Sequence, residues 1–145
     1  MSRRAHNGIT DLRRASVKRK LDASRLLKHG EGLHGRGAAY LGGYAVECKL
    51  KAVALEVYDC LTLDQLASKW DMDDRHVYTH GLEFFARRLP LWNRLQDSPV
   101  WRDFVSHVNR WRPSWRYNPH ILTDRDAEVF MGAVDRVLQW LDTHH

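Results

Sequence analysis

At 145 residues the chain has the length of one domain and enough mass to bury a core. Hydrophobic residues make up 43%, too many for a disordered chain. The formal charge is +5 and the calculated pI about 9.5, and no apolar run approaches the roughly 18 residues that span a bilayer.

The positive charge is concentrated. Arg3, Arg4, Arg13, Arg14, Lys18, Arg19, Lys20, Arg25 and Lys28 crowd the first thirty residues, opposed there by Asp11 and Asp22. A basic stretch of this kind can neutralise phosphates, and a plain solvated helix face is an equally weighted reading. Residues 1–10 are basic and polar without an apolar centre, so they do not form a secretory signal. Cys48 and Cys60 cannot staple a fold and lack metal-site spacing. The expectation is one cytoplasmic domain over 1–145, away from the membrane, with no metal or other cofactor.

The first helix is expected from about Asp11, a suitable N-cap, to Lys28. Leu12, Ala15, Ala23, Leu26 and Leu27 give it an apolar face, and the glycines between His29 and Gly37 interrupt the pattern. The second helix is expected over Ala38–Tyr58. Ala38, Leu41, Ala45, Cys48, Ala52 and Leu55 recur at steps of three and four, a narrow small-residue seam. Gly42 and Gly43 within it cost about 1 kcal/mol each against alanine, so the spacing predicts a close backbone approach there. Thr62 and Gln65 form a capping-box pattern that opens a short helix. Thr79 can cap the next helix, with Leu82, Phe85, Ala86 and Leu89 inward until Pro90. Ser98-Pro99 signals a helix start, Val100, Phe104, Val108 and Trp111 mark its core face, and Arg112-Pro113 ends it. Thr123 opens the last helix, lined by Ala127, Phe130, Val134, Val137, Leu138 and Leu141. These segments are expected to pack as an all-α bundle, read as four main helices plus a short one.

Three stretches carry a resemblance. Gly43-Tyr44-Ala45-Val46-Glu47-Cys48-Lys49-Leu50-Lys51-Ala52 resembles the signature helix of HEPN domains, with small residues before a glutamate and then Leu-Lys-Ala. Thr79-His80-Gly81-Leu82 is similar to the family's Thr-His-Asp-Leu helix start, with glycine in place of the aspartate. Trp115-Arg116-Tyr117-Asn118-Pro119 is similar to the turn before the family's last helix. The resemblance implies a HEPN-like bundle that acts on or beside RNA in a toxin or defence setting, as a dimer. It also implies a choice: a metal-independent endoribonuclease, or a non-catalytic module that binds a nucleotidyltransferase-like, antitoxin or other effector partner. The glycine-containing second helix adds a physical motive for a symmetric dimer.

Catalytic members of that family carry an arginine followed by a histidine with four to six residues between. Arg102 with His107, and alternatively Arg75 with His80, fit. A histidine can carry a proton near neutral pH, and an arginine can hold a phosphate. Roughly three such spacings arise by chance in a chain this rich in both residues. On a straight helix, residues five apart stand about 140° apart, so Arg102 and His107 need a kink or a second subunit to converge.

For nucleic-acid binding the candidates are Arg116 and Tyr117, with Arg112, Arg13, Arg14 and Lys18. Trp111 and Trp115 beside them suggest aromatic faces interleaved with guanidinium groups. Glu47 and Lys51, four apart, read either as a surface ion pair or as a device in which Glu47 orients a cation such as Arg116. Tyr44, one turn before Cys48, reads as a packed ring with a polar tip.

Overall fold

Three long helices carry the chain: α1 (Ile9–His29), α2 (Gly35–Val57) and α7 (Asp124–His144). Between α2 and α7 lie the short helices α3 (Leu63–Lys69), α4 (Leu82–Ala86), α5 (Trp92–Gln96) and α6 (Trp101–Ser106), then a 3-10 turn over Val108–Arg110. This computed structural model describes residues 8–29, 35–73, 81–112, 115 and 123–144. Among the described residues there is no strand, only an isolated antiparallel bridge between Gly8 and Thr62. No described helix is long and apolar enough to cross a membrane.

Helix α2 is the centre. Ala38, Ala39, Gly42, Gly43, the run from Ala45 to Cys48 and the run from Leu50 to Leu55 are all buried. A helix buried almost all round is a core helix, so the narrow seam expected from the sequence was an underestimate. α1 and α7 pack against it, as do α3 and α4.

The two glycines of α2 make room for side chains. A Cβ at Gly43 would fall inside the indole of Trp111, and one at Gly42 inside the thioether of Met131. Trp111 is fully buried and its indole N–H donates to the Tyr40 carbonyl at 3.0 Å. The close approach expected at this point is therefore real but is made by side chains, not backbone. It takes place within the chain, so the glycine seam no longer argues for a dimer.

Two helix starts follow their local chemistry. The amide of Gln65 donates to the Thr62 hydroxyl at 3.3 Å, while the Gln65 side chain accepts from the Leu61 amide at 2.7 Å. Thr123 and Asp126 exchange the reciprocal pair at 3.2 and 3.4 Å. Asp11 lies inside the first turn of α1, which starts at Ile9, instead of capping it. α4 starts behind Gly81 with no side-chain cap, and Thr79 lies outside the described residues.

The structure corrects the expected helix from Ser98 to Arg112. The Ser98 hydroxyl donates back to the Leu95 carbonyl at the end of α5. α6 ends at Ser106, and His107, at φ −127° and ψ −67°, breaks the path before the 3-10 turn. Val100, Phe104, Val108 and Trp111 are nonetheless all buried, as their spacing predicts. Among the described residues the bundle thus has three long helices and a middle section of short ones, where four main helices plus a short one were expected.

Gly43→Ala should cost about 1–3 kcal/mol or more by overpacking against Trp111, lowering Tm by roughly 2–4 °C per kcal/mol at this chain length. In a Trp111→Ala background the same change should cost much less, and calorimetry of the double-mutant cycle checks it. Additive costs would show that the indole is not what excludes the Cβ.

Candidate nucleic-acid interface

The nine basic residues of the first thirty do not form one uniform face. Arg13 is drawn to Glu56 at the end of α2, at 2.8 Å. Lys20 turns to Asp135 of α7 at 3.4 Å. The Arg19 guanidinium lies over the Tyr44 ring, 5.4 Å from its centroid. Arg14, Lys18, Arg25 and Lys28 are exposed. Among the described residues no hydrogen bond or ion pair holds Arg14 or Lys18. Arg3 and Arg4 lie outside the described residues.

Arg14, Lys18, Arg19 and Tyr44 line one open cleft of about 320 Å³, with Asp11 and Ala15. Helical spacing explains the convergence on the α1 side. Positions 11, 14, 15, 18 and 19 are separated by three or four and share a face. Tyr44 enters from α2. Its ring is half-buried and stacked near Tyr40, with centroids 6.3 Å apart. Burial first, then the neighbouring Cys48 and Glu47, raise its phenol above the ordinary tyrosine range, so it is a neutral donor at physiological pH. The cleft offers three cations beside an aromatic ring, a combination suited to phosphate and base.

The other candidates stand differently. Glu47 and Lys51 form an ion pair, Nζ to Oε1 at 3.1 Å, but both are buried, so the surface reading is overturned. The Lys51 ammonium also sits 5.5 Å from the centroid of the Phe85 ring. Breaking a buried pair by removing one partner costs about 3–5 kcal/mol, which makes this pair a structural element of the core. Arg112 is exposed, yet its guanidinium donates to the carbonyls of Asn109 and Trp111, both at 2.7 Å, and so closes the 3-10 turn. Arg116, Tyr117, Arg75 and His80 lie outside the described residues.

Trp111 and Trp115 cannot stack bases. Trp111 is enclosed against α2, and Trp115 is buried against Phe130, centroids 5.3 Å apart. Trp92 and Trp101 are half-exposed, as is Trp70; the first two lie edge to face at 5.3 Å, with the Arg87 guanidinium over Trp92. The sequence reading missed them. Their position among Arg87, Arg94 and Arg102 was the available signal.

Arg102 is exposed in α6, and half-buried His107 is the residue that ends the helix. Asp103 between them is held by Arg136 of α7 in a two-pronged contact at 2.9 and 3.0 Å. That contact raises the Arg136 guanidinium further above its ordinary range. Among the described residues no group of three or more His, Cys, Asp or Glu is placed to hold a metal ion.

Compared with known proteins, the chain matches no family model, no curated protein and no solved structure.

Under Tyr44, the Cys48 thiol is pushed from 9.0 up to about 12, first by burial and then by the Glu47 charge. An unfolded thiol loses its proton first as pH rises, so between those two values the folded form binds more protons. Stability must therefore fall with rising pH across that window, by about 1.4 kcal/mol per pH unit from this group. Cys48→Ala should flatten the fall, as measured by urea midpoints between pH 8 and 11. An unchanged slope would contradict the assignment.

Proposed function

We propose that this protein is a HEPN-like helical module that binds RNA through the α1 face bearing Arg14, Lys18 and Arg19, with Tyr44 as the ring beside them. The observation that carries the reading is the cleft that gathers these four side chains. Arg14 and Lys18 are exposed, and the guanidinium of Arg19 already lies along an aromatic face. RNA phosphates would take the cations, and an unpaired base would find the ring. The all-helical character of the described residues is compatible with this reading. A nucleotidyltransferase-like or antitoxin partner is the alternative that the same resemblance implies.

Point substitutions suit the test better than truncation, because Leu12 and Ser16 of α1 are buried. Arg14→Ala with Lys18→Ala should weaken binding to a single-stranded RNA oligonucleotide. It should also lower the slope of log K against log salt by about 0.7 for each lost phosphate contact. Fluorescence anisotropy across a salt series reads both. Equal affinity and slope for the wild type and this variant would refute the interface.

A second reading, a metal-independent endoribonuclease acting as a dimer, rests on one observation. The helix breaks at His107, which frees its ring from the roughly 140° offset that a straight helix would impose on Arg102. If the wild type cuts RNA in EDTA, His107→Ala should lower the rate by about 10²–10⁴-fold while the fold is retained. Cutting that survives in the folded variant would move the assignment to Arg75 and His80, and cutting that survives both histidine changes would end this reading.

A further inference from the structure

We propose that the outer face of α1 is a docking site for an acidic amphipathic helix of a partner protein, one that lays apolar residues on Val17 and Leu21 and carboxylates on Arg14, Lys18 and Arg25. The proposal shares Arg14 and Lys18 with the RNA reading but does not rest on it. Its apolar half is Val17 and Leu21, which do not line the cleft beside Tyr44.

The period of α1 lays this face out. Leu12, Ser16 and Ala23 are buried, so the opposite side of the helix looks to solvent. At about 100° per residue, Val17 and Leu21 fall roughly 40° apart on that side, and Arg14, Arg25 and Lys18 follow within roughly 60° more. Val17 is 63% exposed and Leu21 48%. The five residues line one shallow hollow of about 530 Å³, with Arg13 and Asp22. The aliphatic pair also lines the adjoining groove of about 450 Å³, where Leu138 of α7 joins it. An apolar strip with a basic border runs along α1 as a result. Arg14 to Arg25 spans three turns, roughly 16 Å. This is the pattern that receives apolar residues spaced i, i+3 or i+4 on an incoming helix.

The charges choose the partner's sign. On the side toward α7 the ions are matched: Arg13 with Glu56, Lys20 with Asp135, and Lys49 with Asp142 at 2.8 Å. On the other side Arg14, Lys18 and Arg25 are exposed, and among the described residues no ion pair or hydrogen bond holds them. Against these three the lining of the hollow sets Asp22. The border is therefore net positive, which draws carboxylates and repels a second copy of a chain whose own charge is +5. The aliphatic pair chooses the class of partner. A phosphate backbone gains nothing by covering Val17 and Leu21, whereas an acidic amphipathic helix buries them and pairs the cations together. A lipid surface takes a broad apolar face with aromatic anchors. The sequence of α1 contains no aromatic residue, and its buried face is committed to the core.

The probe is a synthetic amphipathic leucine–glutamate peptide of about four turns. A scrambled peptide of the same composition, equal in charge but without an apolar face, is the control, because the protein's net charge of +5 attracts both. Methyl NMR of the full chain should show saturable shifts at Val17, Leu21 and Leu138 with the ordered peptide. Anisotropy of the labelled peptides should give an affinity about tenfold weaker for the scrambled one. Val17→Ser with Leu21→Ser, both at exposed positions, should weaken the ordered peptide about tenfold and leave RNA binding unchanged. Arg14→Ala with Lys18→Ala should also weaken the peptide about tenfold. An unmoved indole N–H signal of Trp111 checks that each variant is folded. Equal affinity for the two peptides, shifts that spare the three methyl-bearing residues, or full affinity in either double variant would overturn the proposal. So would RNA affinity that falls as far in the serine variant as in the alanine variant, because the face would then belong to RNA. Sedimentation of the free protein at twice 17.0 kDa that the serine variant returns to the monomer would give the face to a second copy. Binding to phosphatidylglycerol vesicles that the serine variant loses would give it to a lipid surface, and either result overturns the proposal.

Discussion

The packing of this bundle on α2 depends on the contact between Trp111 and Gly43. The indole occupies the space a Cβ at Gly43 would need, and its N–H is held by the Tyr40 carbonyl one turn earlier. No larger residue at position 43 leaves that seat open. The contact fixes the end of the middle section on α2, while Met131 at Gly42 brings α7 against the same stretch. Arg136 of α7 then grips Asp103 of α6, so the short helices and the last long helix are held to each other as well as to the core. Gly132, where a Cβ would stand 3.3 Å from the Arg136 guanidinium, leaves that side chain room to lie along its own helix.

A central α2 has electrical consequences. Its polar residues are enclosed with its alanines, so Glu47 and Lys51 satisfy each other inside the core and Cys48 remains a protonated thiol. None of these three is presented to a ligand. In the proposed function the recognition chemistry falls to α1, whose inner face is fixed by Leu12, Ala23 and the Ser16 hydroxyl donating to the Ala45 carbonyl at 2.8 Å. With that face pinned, the helical period decides which cations turn outward. Arg13 and Lys20 are taken up by acids on neighbouring helices, and Arg14 and Lys18 are left to solvent. One helix therefore presents two unlike surfaces: a basic cleft beside Tyr44, and an apolar edge beside α7.

What the sequence made legible was whatever is decided locally. The period of α2, the threonine caps at 62 and 123, and the inward set Leu82, Phe85, Ala86 and Leu89 all depend on residues within a turn or two of each other. The break at His107 was not legible, because a short helix and a 3-10 turn together can bury Val100, Phe104, Val108 and Trp111 as an unbroken helix would. Nor could i,i+4 spacing tell whether Glu47 and Lys51 face water, since that depends on what α1, α4 and α7 cover. The arginine-rich setting of Trp111 and Trp115 suggested exposed rings, but their burial is decided by distant partners, Gly43 and Phe130. Charge density pointed to Arg14 and Lys18. The arrival of Tyr44 beside them depends on the packing of α1 on α2, which no local pattern encodes.

The central claim is that nucleic acid is met by α1 and Tyr44 rather than by the end of α6. Amide and side-chain NMR of the full chain, titrated with a single-stranded RNA oligonucleotide, tests it most directly. The account predicts progressive shifts at the amides of residues 11–19, at the Arg19 Nε–H and at Tyr44, with the enclosed indole N–H of Trp111 unmoved. Shifts centred on Arg102 and His107, with α1 silent, would contradict it.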